Sequence, residues 1–178
     1  MKRNIFFTIL SLVFLYGCGY TSHSVLPSGE ATVHVGNFVN KIDTTREISN
    51  DRVYFAYRPG LETDITRAVI DKFMIDGNYE IKDEKSAHFL LTGELVNFRR
   101  EPLRYDASEN VIEYRLHIAV DIKLYDLKKE SIVWRENNFA GESTYRTTGQ
   151  FAKSESAAIT DAVKDLARRI VERTVLNW

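Results

Sequence analysis

The amino-acid sequence predicts an α+β fold, a four-stranded mixed sheet with two helices packed on one face. Three features point to it. Two segments, 59–76 and 153–178, repeat apolar side chains at helical spacing. Residues 111–125 alternate apolar and polar side chains at period two, the pattern of a half-buried strand. The elements also follow one another as strand, helix, three strands, helix, an order that places both helices on one side of a sheet.

Thr32 to Phe38 alternates, with Val33 and Val35 toward one face, and forms the first predicted strand. Residues 40–58 are rich in Asn, Asp, Thr, Arg and Ser and read as a long loop, with one apolar piece at Val53-Tyr54-Phe55. Pro59 opens the first helix, because its missing N–H is no loss in a first turn. Leu61, Ile65, Ala68, Val69 and Phe73 make the apolar stripe, with Glu62, Asp64, Arg67 and Asp71 off it. Acids in the first turn suit the helix dipole, and Gly77-Asn78 ends the run.

Ala87 to Phe98 reads as a mostly buried strand interrupted by Gly93. The next strand is the clearest. From Val111 to Tyr125, the side chains Ile112, Tyr114, Leu116, Ile118, Val120, Ile122 and Leu124 alternate with Glu113, Arg115, His117, Asp121 and Lys123. Asp126 to Glu130 is a polar turn, and Ser131 to Tyr145 returns as a partner strand whose best apolar positions are Ile132 and Trp134. Lys153 to Trp178 is the second helix, with Ser154 as N-cap and Ile159, Ala162, Val163, Leu166 and Ile170 as its stripe. The first strand and Ala87–Phe98, joined through a helix, are expected to lie parallel.

The chain ahead of this domain carries a different message. Lys2 and Arg3 precede an apolar run, Ile5 to Tyr16, that is too short for a membrane-crossing helix of about 20 residues. Basic residues, a short apolar run and small Gly17 make residues 1–17 a signal peptide. Leu15-Tyr16-Gly17-Cys18 resembles the bacterial lipobox, in which the cysteine sulfur is acylated and becomes the new N-terminus. Cys18 is the only cysteine, so it has no partner for an internal disulfide. Each buried acyl methylene contributes about 0.8 kcal/mol, and two or more chains anchor stably. Residues 18–31, small and polar with Pro27 and Gly29, are then a lipidated tether, and residues 32–178 a single domain.

Loss of Lys2 and Arg3 leaves 22 basic against 25 acidic residues, a formal charge of −3, without the strong basic excess that would suggest a nucleic-acid protein. The histidines, His23, His34, His88 and His117, are not paired at metal-ligand spacing and read as surface and tether residues. No phosphate-binding glycine loop and no Gly-x-Ser-x-Gly elbow is present. Neither a metal, a cofactor nor enzymatic activity is expected. Cations are more informative: Arg99-Arg100 close one strand, Arg104 lies in the following loop, and Arg146 and Lys153 flank the segment before the last helix. Lys128-Lys129 form the far hairpin tip. Such charges are either simply solvated or placed for anionic groups such as phosphates, which arginine fits well. Tyr54, Phe55, Tyr57 and Tyr105 suit either a protein interface or a cap on the core.

In order along the mature chain stand Cys18-Gly19-Tyr20, Val33-His34-Val35-Gly36-Asn37-Phe38, Pro59-Gly60-Leu61-Glu62, Ala87 to Gly93, Glu113-Tyr114-Arg115 and a last helix ending at Trp178. In this order the chain resembles the LptE family, the outer-membrane lipoproteins of lipopolysaccharide assembly. Each piece is short, and their order carries the likeness. The resemblance implies a protein that plugs a large outer-membrane β-barrel of the LptD type, helps that barrel assemble, and contacts lipopolysaccharide on its way to the cell surface. It implies an outer-membrane location, with the domain on the periplasmic side or inside the barrel, and Gly19 after the cysteine is consistent with outer-membrane delivery. By position in the fold it also implies that Arg104 and Lys153, supported by Arg99 and Arg100, meet lipopolysaccharide phosphates. The alternative is a lipoprotein adaptor or scaffold subunit of another envelope or secretion complex.

Overall fold

A computed structural model describes residues 32–42 and 58–176. Cys18, the signal peptide, the tether, His23, Tyr54, Phe55, Tyr57 and Trp178 lie outside the described residues. The elements are β1 (Thr32–Val35), β2 (Val39–Asn40), α1 (Leu61–Asp76), β3 (Glu80–Ile81), β4 (Phe89–Tyr105), β5 (Val111–Asp126), β6 (Ser131–Arg146) and α2 (Glu155–Leu176). The sheet is mixed and open, with strand order β3-β1-β4-β5-β6 and β2 paired to β4. β1 runs parallel to β4, as the crossover through α1 requires, whereas β4, β5 and β6 form an antiparallel meander. The α+β class and the two-helix layer are as the periodicity predicts. The sheet gains two strands of two residues each, β2 and β3, beyond the four expected.

The first strand is shorter than expected because Phe38 leaves the ladder. Its N–H donates to Thr66 Oγ1 of α1 at 3.0 Å, and its ring lies on Gly93, where any Cβ would overlap it. A glycine at position 93 therefore leaves room for an aromatic cover on the sheet. The fourth strand is longer than expected and runs through Arg99, Arg100 and Arg104 to Tyr105. These cations lie on a strand, not in a loop. Pro102 is tolerated because among the described residues that stretch of β4 has a partner only on its β5 side.

Helix α1 starts after Pro59, with Gly60 in the left-handed conformation at its N-cap. It ends at Gly77, φ 76°, whose N–H reaches the Phe73 carbonyl. Helix α2 is capped by Ser154 Oγ, which accepts from Ala157 N–H at 3.2 Å. Leu61, Ile65, Val69 and Phe73 of α1 join Ile159, Val163, Leu166 and Ile170 of α2 and the inward row of β5 in one core. Helix α2 crosses β6 at Gly141, where a Cβ would stand 2.5 Å from the Leu166 backbone nitrogen.

The opposite face of the sheet carries no element among the described residues. Its side chains form cross-strand rows: Glu94 with Asp121; Thr92, Lys123 and Arg135; Arg99, His117 and Glu142; Glu101 and Arg115; Arg104, Glu113 and Arg146. His117 and His34 are surface residues of the expected kind, bonded to Glu142 and to the Lys82 carbonyl. His88 is not. It is buried, stacked on Phe89 with ring centroids 4.4 Å apart, and its Nε2 lies 3.3 Å from Asp126 Oδ1. Asp126 is equally buried at the end of β5, where Oδ1 accepts from the N–H groups of Lys128 and Lys129 and so builds the turn.

Candidate functional site

Of the cations singled out by the sequence, Arg104, Arg146 and Lys153 gather at one end of the sheet, formed by the β4–β5 hairpin, the end of β6 and the start of α2; Arg99 and Arg100 lie further along β4, and Lys128 and Lys129 are at the opposite end, in the β5–β6 turn. Cross-strand register places Arg104 and Arg146 on either side of Glu113. Arg104 Nε lies 3.4 Å and Arg146 Nε 3.9 Å from Glu113 Oε2, so one acid sits between two guanidiniums. Lys153 is tied to the same group through its N–H, which donates to the Arg146 carbonyl at 2.9 Å. Its ammonium pairs with Asp161 on the second turn of α2. The Arg104 side chain remains 58% exposed. The hairpin tip beside it is built by Asp106, whose Oδ1 accepts from the N–H groups of Ser108 and Asn110. Those bonds hold its carboxyl below the usual carboxylate range.

Arg99 and Arg100 point to opposite faces. Arg99 shares the open face with Arg104 and pairs with Glu101 at 3.3 Å. Arg100 turns toward the helices, pairs with Glu155 at the start of α2, and lies 4.9 Å over the Tyr114 ring. Tyr114 stacks on Tyr145, whose hydroxyl donates to Glu155 Oε2 at 3.1 Å. Burial pulls the Arg100 pKa down, but the hydrogen bond and charge of Glu155 outweigh it and raise the value. Burial and the neighbouring Glu155 charge raise the Tyr145 phenol. This network pins the N-terminus of α2 to the sheet, so Arg100 acts on the site by holding the helix that Lys153 immediately precedes.

Three apolar side chains stand exposed beside these cations: Leu103, Tyr105 and Phe151, the last 73% exposed. Sequence reading singled out Tyr105 alone. Phe151 carried a signal that could have been used, a lone large aromatic inside the polar run from Thr147 to Lys153. Two acids that set the cation geometry, Glu113 and Asp161, also escaped notice as site residues. Their role follows from register and helix phase rather than from spacing. The end therefore presents three cations, each paired with an acid, beside three exposed apolar side chains, a mixed surface from which guanidinium and ammonium groups could meet an anionic amphiphile.

Comparison with known proteins decides the family. A sequence model described as LptE, lipopolysaccharide-assembly, matches residues 31–174, nearly the whole domain.

The chain belongs to the LptE family.

Membership implies a role in lipopolysaccharide assembly, a lipid-anchored location in the cell envelope and a non-enzymatic character. No curated protein sequence matches this LptE-family chain. Among solved structures it is similar to protein XCC0632 of Xanthomonas campestris, with TM-score 0.54 and 13% identity over 85% of this chain and 90% of that one. Protein CT253 of Chlamydia trachomatis gives TM-score 0.52 and 10% identity over 82% and 96% of the two chains. At such identities the likeness is one of fold. Rare lipoprotein B of Shewanella oneidensis also matches, at TM-score 0.39 and 15% identity over 80% and 90%, too low a score to bear an argument.

Proposed function

We propose that this LptE-family lipoprotein, anchored through Cys18, plugs and helps assemble an outer-membrane β-barrel of the LptD type, and contacts lipopolysaccharide on its way to the cell surface. In this reading residues 1–17 are removed as a signal peptide and residues 18–31 tether the domain 32–178. Arg104 and Lys153 meet lipopolysaccharide phosphates, Arg99 adds charge on the open face, and Arg100 supports the site by holding Glu155. The observation that carries the ligand assignment is the convergence of Arg104, Arg146 and Lys153 beside the exposed Leu103, Tyr105 and Phe151. Phosphates would engage the guanidiniums through charge-assisted hydrogen bonds, displacing Glu113 and Asp161 as partners. The open sheet face, with acids and bases in alternating rows, suits a polar, water-filled barrel lumen.

The test is the double substitution Arg104→Glu with Lys153→Glu. Both side chains are solvent-exposed, so the circular dichroism spectrum and co-purification with the barrel should be unchanged. Binding to purified lipopolysaccharide at low salt should be lost, and the difference from the parent should shrink at high salt, where screening already weakens the parent. Undiminished low-salt binding would remove these residues from the site and leave a plug and scaffold. A pull-down from detergent-solubilised outer membranes that yields no large barrel would favour an adaptor of another envelope complex.

A further inference from the structure

The open face of the sheet divides into two halves that treat charge differently. Toward the cationic end its charged side chains satisfy one another: Arg99 pairs with Glu101, His117 with Glu142, and Glu113 with Arg104 and Arg146. Toward the other end they do not. Register sets Glu94 directly across from Asp121, acid against acid, and in the next row Lys123 directly across from Arg135, base against base. Among the described residues none of these four side chains has an ion-pair partner, and Asp121 accepts the Asn138 N–H at 2.8 Å. With Thr92 and Asn137 they ring a depression of about 210 Å³. Like charges directly opposite on a sheet are destabilising, so the domain by itself carries a cost here that nothing beside these rows offsets.

The row beyond the bases is apolar. Leu90, Tyr125 and Ile132 stand side by side across β4, β5 and β6, and Ile132 is 51% exposed. An apolar strip that can exclude water, beside charges that want opposite charges, is the make-up of a protein contact. The lumen wall of an outer-membrane barrel has the matching form. Same-face rows of a sheet repeat about every 6.6 Å along the strands, and a barrel strand turns every second side chain inward at that same repeat. Those inward side chains are polar. Such a wall can set acids over Lys123 and Arg135 and bases over Glu94 and Asp121, so that each charge leaves water only against its opposite. The half of the face that is already neutralised within itself offers a partner no such gain.

We propose that the half of the open face carrying Glu94, Asp121, Lys123, Arg135 and Ile132 is the surface that seats against the barrel wall, its bases meeting acidic side chains and its acids meeting basic ones. This rests on the barrel partnership stated above. One face then serves two tasks: the unpaired half holds the partner, and the paired half stays free beside Arg104.

The experiment uses the full lipidated chain in intact cells. A photoreactive benzophenone amino acid replaces Glu94, Ile132 or Arg135, or, in the paired half, the exposed Arg115. On illumination positions 94, 132 and 135 should cross-link to a large outer-membrane β-barrel, and position 115 should not. Two charge variants complete the test. Lys123→Glu with Arg135→Glu should lower co-purification of the barrel by about tenfold or more, because it sets like charges against the wall. Glu94→Gln removes one acid of a like-charged pair, so the detergent-solubilised chain should melt no lower than the parent and yet retain less barrel. A defect of folding would lower both together. Cross-links at 115 alone, or full recovery of the barrel by both variants, would move the barrel to another surface and overturn this contact while leaving the partnership intact. Cross-links at 94, 132 and 135 to a protein that is not a barrel would overturn it as well. A parent chain that captures no barrel by either route ends the partnership, and this contact with it.

Discussion

Asp126 shows how one side chain can hold two strands and a turn. Burial pushes its carboxyl pKa up, but hydrogen bonds from the N–H groups of Lys129 and Lys128, with the nearby His88 ring, hold it below the ordinary range. A carboxyl whose folded pKa is depressed contributes stability that is complete above its unfolded pKa of about 3.9 and is lost as pH falls through the folded value. Asp126→Asn should therefore destabilise the domain near neutral pH, by about 1–3 kcal/mol for a buried acceptor of charged type. The gap between variant and parent should close as pH falls below about 4. Urea unfolding followed by circular dichroism across pH 3–7 checks both; a gap that stays constant with pH would show that the carboxylate charge is not what holds the turn. In the sequence His88 looked like any scattered histidine and Asp126 like any turn residue. Their pairing depends on β4 and β5 lying in a register that puts Phe89 opposite Asp126, which no local pattern encodes.

At the scale of elements, legibility tracked periodicity. β5 was readable almost residue by residue because one face is buried and the other is wet. Its face assignment gives a sharp test. Ile118 is fully buried, so Ile118→Asp places an unpaired charge in the core and should unfold the domain, beyond the usual 0.5–3 kcal/mol range for point changes, of order several kcal/mol. His117→Asp, one residue away on the open face, exchanges a bond to Glu142 for a like-charge neighbour and should cost at most about 1 kcal/mol. Thermal melts of the two variants decide it: equal losses would mean the faces are misassigned. The two-residue strands β2 and β3 had no such signature, since a pair that short is imposed by its neighbour. The second half of β4 read as a loop because Arg99, Arg100, Pro102 and Arg104 break the apolar pattern. Each is accommodated by position: Arg100 by Glu155 on the helix side, Arg99 and Arg104 by acids on the open face, Pro102 by a strand edge with no partner among the described residues. The candidate site was legible in its cations but not in its acids or its exposed aromatics, because those join it only when β4, β5, β6 and α2 converge.

Across the whole molecule, chemistry is divided between two ends joined by a rigid meander of three long strands. At one end lie the cations with Leu103, Tyr105 and Phe151; at the other the chain arrives from residues 18–31. In the proposed reading the chain is held at the second end by the lipid on Cys18. Among the described residues no helix is long and apolar enough to cross a membrane, and the proposed anchor is Cys18. Acyl chains supply membrane affinity in proportion to buried methylenes. Cys18→Ala should leave the folded domain intact, since residues 18–31 precede its first strand. The variant should appear as uncleaved precursor or in the soluble fraction, with incorporation of a palmitate analogue abolished. Membrane fractionation with metabolic labelling reads both outcomes. Unchanged outer-membrane recovery together with unchanged labelling would place the lipid elsewhere, and the two ends of the domain would lose the orientation that the anchor gives them.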